Sequence, residues 1–362
     1  MEVYEYKHIY FIGNTHKKYG QDINNSHLNY GYDDEKGDYN VIRQDHLGYR
    51  YEIIQLVGRG SFGQVVQCLD HKTAQRVAIK LIRNKKRFHA QAITEVDILR
   101  RLVEWDPYDQ YHTVQMSDYF YFRNHLCIVF ECLAINLYEF IKSNHFRGFH
   151  LCLVKRFHIN PMYTLESLRK HSIFLCYIRP VKRLFTGRPF GSQRYYVRST
   201  TTSKSGRLFP AGYFRFYRSP EVILGLPYHM AIDMWSLGCI AAELFIGRPL
   251  FAGENEHQQL ACIMETLGLP DGHLLEKCPR KKLFFDTNGK PKIIPNSKGK
   301  KRLPCTKSLY QVLKCHDIAF VDFIEQCLSW DPTKRMTPKE GLQHEWITNH
   351  NTLLRHCNHD GG

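Results

Sequence analysis

Three glycines and a lysine carry the first chemical signal. Gly58, Gly60 and Gly63 sit in the run Val57-Gly58-Arg59-Gly60-Ser61-Phe62-Gly63-Gln64-Val65-Val66, and Lys80 closes Val77-Ala78-Ile79-Lys80. Glycines at this spacing let a tight hairpin lay its backbone N–H groups over a polyphosphate, because no Cβ holds the ligand away. A lysine closing the next strand adds a fixed positive charge for the α and β phosphates. Glycine triplets also open dinucleotide-binding turns, which need a helix directly after the glycines and an acid about 20 residues on. Here they run into Gln64-Val65-Val66-Gln67-Cys68, a β-branched stretch suited to a strand, so the phosphate hairpin is favoured. Taken singly, Lys80 reads as a solvated lysine; after this loop it reads as a phosphate ligand.

The elements that must hold these groups lie around them. Residues 51–57, 65–69 and 76–82 read as successive strands of a meander. Residues 90–103 place Ala92, Val96, Leu99 and Val103 at helical spacing, with Glu95 on the same segment. A helix behind the sheet would aim Glu95 at Lys80 and hold the lysine at the phosphates; alone, Glu95 reads as a surface residue. Strands follow near 114–122 and 126–130, and Glu131-Cys132-Leu133 connects them to a helix-rich remainder. In that remainder, Ile232-Asp233-Met234-Trp235-Ser236-Leu237-Gly238-Cys239 opens a long apolar helix running to Ile246, with Gly247 and Pro249 as stop signals. Asp331-Pro332-Thr333-Lys334-Arg335 opens a last helical turn from which Arg335 is predicted to meet Glu221 as a buried pair. Strands first and helices after predict a two-lobed α+β enzyme with its ligand in the cleft. Ahead of the meander, residues 1–45 are polar and tyrosine-rich: Tyr10-Phe11-Ile12 reads as a short strand and the acidic run 31–39 as a solvated turn.

A chain of 362 residues, 43% hydrophobic and 23% charged, has the composition of a soluble globular protein with one large domain or two lobes. Its longest apolar run, near 126–135, is too short to span a membrane, and Met1-Glu2-Val3-Tyr4-Glu5 does not resemble a signal peptide. Twelve cysteines without a C-x-x-C pair point to a reducing, intracellular compartment. The formal charge of +15 is concentrated: residues 151–214 hold twelve Lys or Arg against one acid, Glu166. The basicity thus belongs to one segment rather than to a dedicated binding face. A second run, the Lys- and Pro-rich 277–305 with Lys298-Gly299-Lys300-Lys301-Arg302, reads as solvated, with a nuclear address as the lesser alternative.

In this order the motifs resemble a eukaryotic protein kinase, and in detail the dual-specificity tyrosine-phosphorylation-regulated kinase (DYRK) family. The resemblance rests on Tyr49-Arg50-Tyr51-Glu52, the 60–66 loop, the 83–88 run, Phe122-Arg123-Asn124-His125, Asn136-Leu137-Tyr138-Glu139 and the 231–238 run, and covers roughly 300 residues. The acidic 32–39 stretch resembles that family's homology box, and Ile9-Tyr10-Phe11-Ile12-Gly13 its N-terminal accessory region. The resemblance implies an accessory region at 1–45, an N-lobe and hinge at 51–133, a C-lobe at 134–347 with the family-group insertion at 277–305, and a tail at 348–362. It implies ATP and Mg²⁺ as cofactors, with ATP held by residues 57–65, Lys80, Glu95, Phe130 at the back of the pocket, and Glu131, Cys132 and Leu133 at the hinge. Glu221, Asp233 and Arg335 would be structural, and Arg218 would lie in the loop that receives the substrate's proline. The family phosphorylates its own activation-loop tyrosine and then serine and threonine of protein substrates. A monomer acting in cytoplasm or nucleus is expected, without membrane or nucleic-acid partners.

The middle of the chain departs from the family. Catalysis needs an Asp to accept the substrate hydroxyl proton, an Asn for one Mg²⁺ and the Asp of a D-F-G turn for the metals. Counting from Phe157, the proton acceptor falls on Tyr177 and the metal-binding Asn on Lys182; counting back from Arg207, the D-F-G Asp falls at or near Val197. The activating tyrosine maps to Ala211, with Tyr213 two residues away, and no Asp or Glu occurs anywhere from 167 to 220. Pro161 falls inside the helix expected to support the catalytic loop, where an interior proline costs about 3 kcal/mol.

Three readings follow. The chain is a pseudokinase that keeps the ATP-facing half of the site and works with scaffold partners. Alternatively, it belongs to an active dual-specificity kinase, with residues 158–214 arising from an aberrant transcript or gene model. The third, a basic nucleic-acid-binding module at 151–214, lacks a regular aromatic platform, since Tyr195, Tyr196, Tyr213 and Phe214 are irregularly placed.

Overall fold

The computed structural model describes residues 6–13, 23–60, 62–111, 113–133, 137–170, 177–178, 195–196 and 213–349. They form a β-rich unit, to residue 134, and a helical unit beyond it, the two-lobed α+β fold expected from the sequence.

The β-rich unit is an antiparallel sheet of β1 (His46–Leu47), β2 (Tyr51–Gly60), β3 (Gly63–Asp70), β4 (Gln75–Ile82), β5 (Met116–Phe122) and β6 (His125–Glu131), in the order β1-β2-β3-β4-β6-β5. Two neighbouring interior strands are the most deeply buried: β6 from His125 to Phe130, and β4 from Val77 to Ile82. Tyr51, Ile53, Val66, Cys68, Ile79, Leu81, Phe122, Cys127 and Val129 form its core. Helix α1 (Lys86–Trp105) covers this sheet, longer at both ends than the expected 90–103; it buries Phe88, Ala92, Val96, Leu99 and Leu102 at steps of three and four.

Two expectations for the N-terminal segment are corrected. Tyr10-Phe11-Ile12 forms no strand: the Tyr10 and Phe11 amides both donate to the Tyr49 carbonyl, and one acceptor shared by two donors makes no ladder. Nor is the acidic run a solvated turn. Asp33 and Asp38 are each 5% exposed. Asp33 accepts from His125 Nε2 at 2.7 Å and Asn84 Nδ2 at 2.9 Å, while Arg83 forks onto Asp38 at 2.9 and 2.6 Å. Buried carboxylates persist only when paired in this way.

The helical unit centres on α5 (Ala231–Ile246), buried from Asp233 to Leu244 and stopped at Gly247 in the left-handed conformation, as its sequence signals require. Beside it are α2 (Leu137–Ser143) and α3 (Leu151–Lys170). Helix α3 runs unbroken through Pro161, the position where an interior proline carries a cost: Val154, Phe157, Met162, Leu165 and Leu168 are buried along it and offset that cost. Helices α4 (Pro220–Leu224), α6 (Glu256–Leu267), α7 (Gly272–Glu276), α8 (Lys281–Phe284), α9 (Leu309–Leu313), α10 (Ile318–Cys327), α11 (Pro338–Gln343) and α12 (Glu345–Thr348) complete it. Asp331 to Arg335 form a turn rather than a helical start; the helix begins at Pro338, capped by Thr337, whose side chain and Glu340 satisfy each other's backbone amides.

Candidate active site

The glycine hairpin is β2 turning into β3, with Gly58 opposite Val65, Arg59 opposite Gln64 and Gly60 opposite Gly63. Its glycines are not equivalent. Gly63 has φ of +138°, and a Cβ there would lie 1.9 Å from the Leu81 carbonyl oxygen, so the fold itself demands glycine. A Cβ at Gly58 would meet nothing within 4 Å, and one at Gly60 only the Gly63 oxygen at 3.8 Å. Packing does not require glycine at those two positions, and their bare backbone is open to the close approach of a ligand. Val57 and Arg59 are exposed, Phe62 packs edge-to-face on Phe88 of α1 at 5.2 Å, and Ser61 lies outside the described residues.

Lys80 sits two residues before the end of β4, opposite Val65 on one side and Ile128 on the other. Both flanking strands are apolar there, so its ammonium needs a counter-charge. Glu95 supplies it from α1, with Nζ 2.5 and 2.7 Å from the two carboxylate oxygens. Both side chains are partly exposed, at 11% and 19%, so the ammonium is fixed in place without being sealed off. Phe130 is 1% exposed on β6, and the Glu131 side chain accepts from the Gln115 amide at 3.1 Å. Cys132 is half-buried with its sulfur 3.1 Å from Gln67 Nε2, and Leu133 is the last described residue before the helical unit.

Several supports escape a local reading of the sequence. Gln64, expected at the ligand, is 1% exposed and donates at 2.8 Å to the Tyr39 carbonyl, tying the loop's second strand to the acidic segment. His125 is held between the Ile82 carbonyl at 2.8 Å and Asp33 at 2.7 Å, bracing the end of the lysine's strand. Phe88 is the one such residue with a sequence signal, since it closes the 83–88 run.

In the helical unit Arg335 and Glu221 form a forked pair at 2.7 and 2.9 Å, exposed 0% and 1%. Arg335 also donates to the Ala231 carbonyl at 2.8 Å and to that of Ser329 at 3.1 and 3.0 Å. Burial pushes the Asp233 carboxyl up to about 8. Arg218 is paired with Glu256 at 2.9 Å, and burial draws its pKa down from the ordinary value. Tyr177 lies in a two-residue strand, Tyr177–Ile178, paired antiparallel with Tyr195–Tyr196. Lys182, Val197 and Ala211 lie outside the described residues.

The donor set therefore fits a nucleotide polyphosphate and does not fit its metal. Open backbone at Gly58 and Gly60 and a fixed ammonium suit phosphate oxygens, whereas Mg²⁺ takes oxygen ligands led by carboxylates, and residues 167–220 contain none.

Comparison with known proteins shows the family. A model described as the protein kinase domain matches residues 51–184 and 190–347. The DYRK-family kinase pom1 of Schizosaccharomyces pombe is 48% identical over 357 residues, covering 98% of this chain and 33% of that protein. Dual specificity tyrosine-phosphorylation-regulated kinase 4 of Homo sapiens is 47% identical over 346 residues, 96% of this chain and 66% of the relative. For dual specificity tyrosine-phosphorylation-regulated kinase 2 of Drosophila melanogaster the figures are 47% over 348 residues, 96% and 48%. The chain thus spans from a third to just under two thirds of these relatives.

Proposed function

Because this chain belongs to the protein kinase family, in its dual-specificity tyrosine-phosphorylation-regulated branch, we propose that it binds ATP through its β-rich unit and, as written, transfers no phosphoryl group at an appreciable rate. One mismatch carries the reading: a built Lys80–Glu95 pair with an open glycine hairpin, on a chain that has no carboxylate from 167 to 220. Gly58 and Gly60 lay backbone amides on the phosphates, Gly63 shapes the turn, Lys80 neutralises the α and β phosphates, and the backbone of Glu131 and Leu133 takes the adenine beside Phe130. Residues 1–45 act as an accessory clasp, 51–133 as the N-lobe and 134–347 as the C-lobe, with an insertion at 277–305. Protein partners would then be held rather than phosphorylated.

Chemistry sets the size of the loss. A phenol with a pKa near 10 is protonated at neutral pH and takes no proton from a substrate hydroxyl, so Tyr177 does not replace an Asp. General-base catalysis is worth about 10²- to 10⁴-fold, and metal stabilisation of phosphoryl charge several kcal/mol more. These act as a unit and do not add, yet either loss is severe. Lys182 offsets phosphate charge without accepting a proton or chelating Mg²⁺.

The test is phosphotransfer to myelin basic protein and to the chain itself. The purified chain is compared with one carrying Tyr177→Asp, Lys182→Asn, Val197→Asp, Arg198→Phe and Ser199→Gly. Activity in the repaired chain alone, abolished by adding Lys80→Ala, is the expected outcome. Activity in the unrepaired chain, lost on Lys80→Ala, overturns it. The binding half of the reading fails if millimolar ATP leaves the melting temperature unchanged.

A second reading draws on the abruptness of the break, since the motifs on both sides match the family in order. On that reading 158–214 come from an altered transcript of an active kinase locus. Transcript sequence across those codons decides between the two.

A further inference from the structure

We propose that residues 277–307 form a docking surface for an acidic, aliphatic protein segment, a role distinct from nucleotide binding. The segment holds eleven Lys or Arg against one acid, Asp286. Four of the eleven are spent on the framework. Arg280 pairs with Glu256 at 2.5 Å, and Lys300, Arg302 and Lys307 converge on Glu265 at 3.9, 3.7 and 3.1 Å. These pairs fasten the segment along α6, helped by Gln258 donating to the Ile294 carbonyl at 2.7 Å and by Ser297 bonding Glu254 at 3.0 and 2.7 Å.

What remains faces outward. Of the other seven, Lys281 is half-buried; Lys277, Lys282, Lys290, Lys292, Lys298 and Lys301 are exposed and make no salt bridge among the described residues, with Lys292 Nζ donating to the Lys282 carbonyl at 2.7 Å. Two similar turns hold part of this array rigid. The Asp286 carboxylate accepts the amides of Asn288 and Lys290 at 2.9 and 2.8 Å, and ten residues on the Asn296 side chain accepts those of Lys298 and Lys300 at 3.1 and 2.8 Å. Between the lysines stand Leu283, Ile294 and Leu303, exposed 48%, 44% and 53%. Like charges on a fixed framework repel one another, and a partner of opposite sign relieves that cost.

The pattern selects among polyanions. A single-stranded nucleic acid is held on exposed aromatic faces, but both aromatics of this segment, Phe284 and Phe285, are 3% and 1% exposed. An anionic membrane surface is met by an amphipathic helix with its apolar side chains gathered on one face. Here the one helix is four residues long, and Leu283, Ile294 and Leu303 are spread among the lysines at separations of 11 and 9 residues rather than gathered on one face. A surface on which exposed ammonium groups are interspersed with a few exposed aliphatics complements a protein segment that carries both carboxylates and aliphatics. The supporting helix α6 has twelve residues, about 18 Å at ~1.5 Å each, which an extended peptide spans in about six residues.

The test is fluorescence anisotropy on the full chain with a fluorescein-labelled peptide of alternating Glu and Leu. Lys282→Glu, Lys292→Glu, Lys298→Glu and Lys301→Glu together are expected to weaken binding at least about tenfold, equivalent to ~1.4 kcal/mol, with the melting temperature unchanged. Leu283→Ser with Ile294→Ser, which alters no charge and serves if the first variant misfolds, is expected to weaken it about threefold or more. Absence of binding at about 100 µM peptide, or binding unaffected by these changes, overturns the proposal; the latter places the peptide on another basic segment such as 151–214. Tighter binding of oligouridine, or of phosphatidylserine vesicles, that is abolished by the same substitutions overturns the choice of partner.

Discussion

The glycine hairpin allows fold and ligand to be separated by one kind of substitution at two positions. Gly63→Ala places a methyl 1.9 Å from the Leu81 oxygen and a non-glycine residue at φ +138°. The backbone conformation alone costs about 1–3 kcal/mol, and relieving the overlap means parting β3 from β4. Gly58→Ala meets nothing within 4 Å and carries no positive φ. By reducing the freedom of the unfolded chain it is expected to leave stability unchanged or raise it by about 0.4–1 kcal/mol. If the bare backbone at Gly58 receives a phosphate, however, the added methyl pushes that phosphate away, and ATP affinity is expected to fall about tenfold, ~1.4 kcal/mol. Urea unfolding gives the stability and ATP-dependent melting the affinity. A Gly58→Ala protein destabilised as much as Gly63→Ala would refute the structural half of this reasoning. One that keeps the full ATP response would remove the reason given for glycine at that position.

Two further predictions concern the helical unit. Arg335→Met leaves the Glu221 carboxylate 1% exposed without its partner, which costs about 3–5 kcal/mol, whereas adding Glu221→Leu restores most of that in urea unfolding because no buried charge is then left unpaired. If the double variant is less stable than the single one, the pair contributes more than mutual neutralisation. Asp233, held at about 8 in the fold against about 3.9 when unfolded, stays protonated in the folded state across that window while the unfolded chain is ionised. The folded state therefore binds the extra proton, and this group's contribution to stability falls as pH rises from about 4 to about 8. Asp233→Asn should gain in melting temperature relative to the parent with each step from pH 5 to 8, and a difference constant with pH would count against a neutral buried carboxyl.

Where types and spacing are local, the sequence was legible. The glycine hairpin, the lysine at the next strand and the glutamate one helix away lie within 37 residues, and Glu95 falls at the helical step that faces the sheet. The apolar run and Gly247 likewise bounded α5. What failed was set by partners far off in the chain. The acidic run looks solvated because nothing near it in sequence is basic enough to bury it; Arg83 lies 45 residues from Asp38, and His125 lies 92 from Asp33. The run at 277–305 looked uniformly solvated because Glu254, Glu256 and Glu265, which fasten it, belong to the turn and helix before it. The cost assigned to Pro161 does not decide whether its helix forms, since propensity counts the lost hydrogen bond and not the five apolar side chains that α3 buries.

Those long separations also put the β-rich unit on a timetable. Ribosomes add about 5–20 residues per second, so Asp33 emerges some 5–20 s before His125, its partner 92 residues later. Asp38 meets Arg83 in about half that time. Until His125 emerges, Asp33 has Asn84 but not the imidazole, and the Ile82 carbonyl at the end of the lysine's strand lacks its partner. The later of these two latches is carried by β6, which lies between β4 and the edge strand β5. A nascent chain stalled short of residue 125 holds the glycine hairpin and Lys80 without that brace, and the sheet is complete only when β6, its last strand in sequence, pairs between β4 and β5.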